Sequence, residues 1–127
     1  MVRPPAKELT KRELEVMHVF WKEGELTATD ARAQLAKAGV DRAYVTVANL
    51  IRILVEKGFL KPTNDQRPFT YRAERTFESV SQSLVSDLVK RVFGGSRSQL
   101  LVNLLGNKKR LSAEERALLK QVLEEQE

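Results

Sequence analysis

The sequence predicts a mainly α-helical chain with one small β-hairpin, divided into an N-terminal part (residues 1–75) and a helical C-terminal part (residues 76–127). Three observations carry this reading. Apolar residues recur at helical spacing in successive stretches. The period changes once, after Gly58, to two strand-like runs flanking a polar turn. Glycines and Ser/Thr-x-x-Glu sequences fall where helices should stop and start.

The first helix is signalled at Thr10. Thr10-Lys-Arg-Glu13 fits a capping box, and Leu14, Val16, Met17, Phe20 and Trp21 follow with an apolar stripe, Trp21 being read as core. Lys11, Glu15, His18 and Lys22 take the polar side, so His18 is expected to be exposed, and Gly24 ends the helix. Either Thr27 or Thr29 caps a short, alanine-rich second helix with Ala31, Leu35 and Ala36 inward, closed by Gly39. The third helix runs from about Ala43 to Lys57, with Val47, Leu50, Ile51 and Leu54 inward and Gly58 behind its end. Phe59–Pro62 and Pro68–Arg72 then form the hairpin, with Thr63–Arg67 as its polar tip.

In the C-terminal part, Thr76 or Ser79 opens a fourth helix with Val80, Leu84, Val85, Leu88, Val89 and Val92 on one stripe. Phe93-Gly-Gly-Ser96 breaks it, and Ser96 caps a short fifth helix bearing Leu100, Leu101, Val102, Leu104 and Leu105. Lys108-Lys109-Arg110 reads as a solvated linker. Ser112-Ala-Glu-Glu115 is a second capping box, opening a sixth helix with Leu118, Leu119, Val122 and Leu123 and a fraying glutamate-rich end. Fifty-two residues of short leucine-rich helices bury too little surface to stand alone, and packing against a second copy is the simplest expected remedy. The expected dimerisation residues are Leu84, Leu88, Leu100, Leu101, Leu104, Leu105, Leu119 and Val122.

Composition narrows the chemistry. The chain has 127 residues, no cysteine, one histidine and a net charge of +5. Disulfides, thiolate metal sites, cysteine nucleophiles and multi-histidine centres therefore lack their parts, and no metal or cofactor is called for. No carboxylate cluster with a base and no glycine-rich phosphate loop is present, so an enzyme is the class with least support. No apolar run approaches the ~20 residues a membrane span requires, and the start of the chain has no signal-peptide pattern, so a cytoplasmic location is expected. Residues 1–75 hold 14 Lys+Arg against 10 Asp+Glu, a net of +4, whereas residues 76–127 hold 8 against 7, a net of +1. The positive excess lies on the N-terminal part, which suggests a nucleic-acid partner there.

Three helices followed by a hairpin is the order of a winged helix-turn-helix, and a helical dimerisation domain would follow it. In such a fold the start of the third helix meets base edges in the major groove. Thr46 and Asn49 can hydrogen-bond to bases, and Val45 can meet a thymine methyl. Arg42 and Arg52 can neutralise phosphate or reach guanine, although Arg52 reads equally well as a solvated helix charge. Tyr44 is either a DNA contact or a core residue. Arg67 at the hairpin tip suits the DNA backbone, and Arg72 either pairs with a nearby acid or touches phosphate. Two non-enzymatic alternatives use the same fold: a protein-interaction module working through the Tyr44 face, and an architectural binder indifferent to sequence.

Specific stretches carry a resemblance. They are Leu14-Glu-Val-Met17 through Phe20-Trp21, Ala43-Tyr-Val-Thr-Val47, Leu54-Val-Glu-Lys-Gly-Phe-Leu60, Phe69-Thr-Tyr-Arg72, Phe93-Gly-Gly-Ser96 and Leu111-Ser-Ala-Glu114. Together they resemble the penicillinase-repressor (BlaI/MecI) family of bacterial transcriptional regulators over about residues 8–125. The resemblance implies a homodimer that binds an inverted-repeat operator in double-stranded DNA and represses resistance or stress genes. It further implies a membrane protease receptor as regulatory partner, cutting in the fifth helix after an asparagine followed by phenylalanine. Asn103 matches that asparagine, and Leu104 stands where the phenylalanine would be. Copper-responsive relatives carry a C-terminal cysteine cluster, which this chain lacks.

Overall fold

The computed structural model describes residues 9–106 and 110–126; the start Met1–Ala6 and linker residues Lys108 and Lys109 lie outside them. Helix α1 spans Lys11–Glu23. Its capping box is formed: Thr10 Oγ1 accepts from the Glu13 N–H at 3.1 Å, and Glu13 Oε1 accepts from the Thr10 N–H at 3.0 Å. Val16, Met17, Val19 and Phe20 are buried, and Gly24, at φ +90°, adopts the left-handed turn that ends the helix.

Leu26–Thr27 forms a two-residue strand, β1, before α2 (Ala28–Lys37). Two residues are too few to show a period of two, so the sequence pattern gave no sign of this strand. Thr27, rather than Thr29, is the N-cap of α2, with its Oγ1 accepting from the Asp30 N–H at 3.1 Å. Ala31 and Leu35 point inward, but Ala36 is exposed. One step along the helix from Leu35 turns it about 100° away from the core.

Helix α3 is Tyr44–Glu56, followed by strands β2 (Leu60–Pro62) and β3 (Thr70–Ala73). The hairpin belongs to a three-stranded antiparallel sheet in the order β1-β3-β2, with Leu26 opposite Tyr71, Thr27 opposite Thr70, and Leu60 opposite Ala73. Phe20, Met17, Leu35, Val47, Ile51, Leu54, Phe59 and Leu60 are essentially inaccessible and form one core with Val16 and Ala31. Each large side chain so buried contributes about 1.5–3 kcal/mol. Val80 and, at its edge, Leu84 join this core from α4 (Phe77–Val92).

Trp21 is half-buried at the margin of the core rather than inside it. Its ring meets Phe77 edge-on at 5.3 Å between centroids and His18 at 5.5 Å, and its Nε1–H donates to the Arg75 carbonyl at 2.9 Å. The indole N–H needs a partner and finds one only where the chain enters α4, so the ring sits at the edge.

The chain divides into two compact units between Leu84 and Val85, within α4. In the second unit, Gly94 and Gly95 have positive φ and turn the chain into α5 (Arg97–Leu105), whose N-cap Ser96 accepts from the Gln99 N–H at 3.2 Å. Helix α6 (Ala113–Glu125) begins with the expected capping box at Ser112 and Glu115. Among the described residues of this unit, Val89 is the one buried hydrophobic side chain. No helix among the described residues is long and apolar enough to cross a membrane.

Candidate nucleic-acid interface

Helix α3 divides its residues by face. Val47, Leu50, Ile51 and Leu54 anchor it to the core, while Tyr44, Val45, Asn49 and Arg52 are exposed and Thr46 is half-exposed. Val45 is 75 % exposed and Tyr44 48 %, so the tyrosine is a surface residue and not part of the core. The N-cap is Ala43, with no side-chain hydrogen bond. The first-turn N–H groups, at the positive end of the helix dipole, therefore lack a side-chain acceptor from the cap residue.

What fixes this uncapped start is a relay from the other helices. The Arg32 guanidinium (Nε) donates to the Arg42 carbonyl at 2.9 Å. Arg42 in turn donates to Glu15 Oε1 of α1, through Nη2 at 2.8 Å and Nε at 3.3 Å, and both side chains are half-buried. Arg42, expected among the DNA contacts, thus holds the entry to α3 against α1. At the far end, Lys57 bonds to Glu13 Oε1 at 2.8 Å. Glu13 is only 4 % exposed. Burial pushes its carboxyl pKa up, but the bonds from Lys57 and Thr10 outweigh that and hold it below the ordinary value. Both ends of α3 are thereby pinned to α1.

On the exposed face, Arg52 is engaged within its own helix. Its Nη2 donates to Asn49 Oδ1 and its Nη1 to Glu56 Oε1, each at 2.8 Å. Arg67 is exposed on the turn between β2 and β3, its guanidinium 5.8 Å from the Phe69 ring centre. Asn64 shapes that turn: its Nδ2 donates to the Pro68 carbonyl at 3.1 Å, and its Oδ1 accepts from the Thr70 N–H at 3.0 Å. Arg72 is exposed, with no ion pair among the described residues.

Tyr44 and Arg67 come together across an open groove of about 480 Å³, lined also by Thr27, Ala28, Thr29, Phe69 and Tyr71. The sequence pattern overlooked Thr29, Phe69 and Tyr71 at this surface. Their signal was positional: Thr29 lies in the first turn of α2, and the two aromatics flank the turn end of β3.

The expected dimerisation residues separate into two groups. Leu84 is taken up by the core of the first unit, which the turn of α4 at Val80 already enters. Leu88, Leu101, Leu104, Leu105 and Val122 are exposed, and Leu100 and Leu119 are half-buried. Asn103 is exposed beside Leu104 in α5.

A family model described as penicillinase repressor matches residues 9–125. The penicillinase repressor of Bacillus licheniformis is 27 % identical over 118 residues, covering 93 % of this chain and 91 % of that one. An uncharacterized 16.5 kDa protein of the ptsI 3′ region of Latilactobacillus sakei is 31 % identical over 98 residues, covering 77 % of this chain and 66 % of its own. Among solved structures, RosR of H. salinarum superposes with a TM-score of 0.55 at 16 % identity, over 95 % of this chain and 96 % of that one, a likeness of fold.

Proposed function

The chain belongs to the penicillinase repressor family, a family of DNA-binding transcriptional regulators and not of enzymes, and on that premise we propose how it reads its operator. A homodimer binds an inverted repeat. Each α3 enters the major groove, and Thr46, Asn49, Val45 and Tyr44 meet base edges there. The observation that carries this reading is the pinned α3, whose apolar Val45 and polar Asn49 stand exposed on a helix held at both ends by α1. A rigid helix with an exposed, mixed surface is what base readout requires. Arg67 on the wing and the uncapped start of α3 then take backbone phosphates. Arg42 serves by holding the helix.

The homodimer is supported by the second unit, where Leu101, Leu104, Leu118 and Leu123 are all more than half exposed in the single chain. Such a surface of α5 and α6 calls for cover, and a second copy provides it. Two recognition helices related by a two-fold axis reach successive major grooves roughly 34 Å apart. The genes controlled are those of resistance or stress, and a membrane protease receptor relieves repression by cutting at Asn103-Leu104.

Selection of bound duplexes from a random pool at near-physiological salt tests the operator reading. The expected product is an inverted repeat with half-sites about one helical turn apart. Thr46→Ala should relax the preference at one position of each half-site by about 1–3 kcal/mol. Binding without any enriched motif would refute sequence readout, and absence of binding at low salt would refute DNA as the ligand of this surface.

A further inference from the structure

Asn49, Arg52 and Glu56 occupy i, i+3 and i+7 on the exposed face of α3 and form one connected chain of side chains. Arg52 stands between the other two, donating through Nη2 to Asn49 Oδ1 and through Nη1 to Glu56 Oε1, both at 2.8 Å. A guanidinium has donors only. The amide of Asn49 must therefore turn its oxygen toward Arg52, which leaves Nδ2–H₂ as the group directed away from it. An unconstrained asparagine suits adenine, because adenine offers N7 as acceptor and N6–H₂ as donor, matching the amide's own donor and acceptor. Guanine offers two acceptors, N7 and O6, and no donor at that edge.

We propose that Arg52 is a specificity-positioning residue: by bonding to the Asn49 oxygen it fixes the amide with its Nδ2–H₂ presented away from Arg52, and so biases Asn49 to donate to guanine over adenine. Glu56 sets the geometry by anchoring the other end of the guanidinium. Arg52 thus acts through Asn49, not through phosphate. The proposal rests on the reading that α3 enters the major groove, and it adds which base Asn49 chooses and why.

The test uses the full-length chain in duplex selection, followed by titration of duplexes that carry each base at the position whose preference Asn49→Ala flattens. The wild type should favour guanine there. Arg52→Ala should swing the guanine-to-adenine ratio toward adenine on the order of tenfold. Glu56→Ala should move the ratio in the same direction by less. The two substitutions change net charge oppositely, so general affinity should fall with Arg52→Ala and rise with Glu56→Ala. A common shift in base preference therefore separates positioning from charge. If Arg52→Ala weakens all duplexes alike and leaves the ratio unchanged, Arg52 is a phosphate ligand and the proposal is overturned. If a motif is enriched but Asn49→Ala flattens no position, the proposal fails while operator reading stands. If no motif is enriched at all, the operator reading itself fails and takes the proposal with it.

Discussion

Lys57→Met should cost more stability than Glu13→Gln, although both remove the same ion pair. The reason is which partner stays behind. Glu13 is 4 % exposed, and its Oε1 accepts both from Lys57 at 2.8 Å and from the Thr10 N–H at 3.0 Å. Methionine keeps the lysine stem but leaves a buried carboxylate without its cation. Removing one partner of a fully buried pair costs about 3–5 kcal/mol. Exposed pairs are worth about 0–1 kcal/mol. Lys57 keeps a third of its side chain in solvent, so about 2 kcal/mol is expected at neutral pH. Glutamine at position 13 can still close the capping box. It gives up only the charge assistance, for about 1 kcal/mol. The double variant should cost less than the two losses added together, with a coupling of about 1–2 kcal/mol.

Urea unfolding of the four proteins measures these values. The pH dependence supplies a second reading. The native Glu13 carboxyl lies below its ordinary value of 4.5, so the unfolded state takes up a proton first as the solution is acidified. The stabilisation is complete above that ordinary value and is lost as the pH falls through the lowered native one. The deficit of Glu13→Gln relative to wild type should shrink over the same interval. Strict additivity of the two substitutions at neutral pH would refute the argument, as would a deficit independent of pH.

Other expectations concern the wing, the dimer and the tryptophan. Arg67→Ala should weaken binding to every duplex alike and reduce the magnitude of the logarithmic salt slope by about 0.9, read from titrations at several salt concentrations; a changed base preference would contradict a backbone role. Leu104→Lys should place a charge on the exposed face of α5 and shift the chain toward monomer in sedimentation equilibrium, with its helical circular dichroism retained; an unchanged dimer would move the interface elsewhere. Trp21→Phe should lose the 2.9 Å bond to the Arg75 carbonyl and part of the ring packing on Phe77, lowering stability by about 1–2 kcal/mol in chemical unfolding.

What could be read from the sequence was what repeats or punctuates locally. The Thr10 and Ser112 boxes, the Phe93-Gly-Gly-Ser96 break and the inward stripe of α3 all depend on neighbours within a turn or two. They appear where expected. The contacts that fix the candidate interface are of another kind. Glu15 meets Arg42 across 27 positions and Glu13 meets Lys57 across 44, and no local period registers such pairs. This is why neither the Glu15 partner of Arg42 nor the packing of Leu84 against the core of the first unit could be read from local spacing. Tyr44 was undecidable for a related reason: the first turn of a helix lies between core and solvent, and only the path of the preceding chain settles its side. The Asn49–Arg52–Glu56 chain was within reach of local reasoning, since i+3 and i+4 neighbours always share a face.

Thr27 holds two posts at once. It is the last residue of β1, paired across the sheet with Thr70 of the wing, and its hydroxyl closes the first turn of α2. There is no slack residue between strand and helix. A wing that swings away from the body must either break its ladder at Thr27 or drag the cap off α2. Motion at the wing is therefore geared directly to α2, the helix that precedes α3. The amides of Asp30 and of the wing strand should then exchange with solvent as one cooperative unit, making this part of the molecule behave as a lever and not as a loose flap.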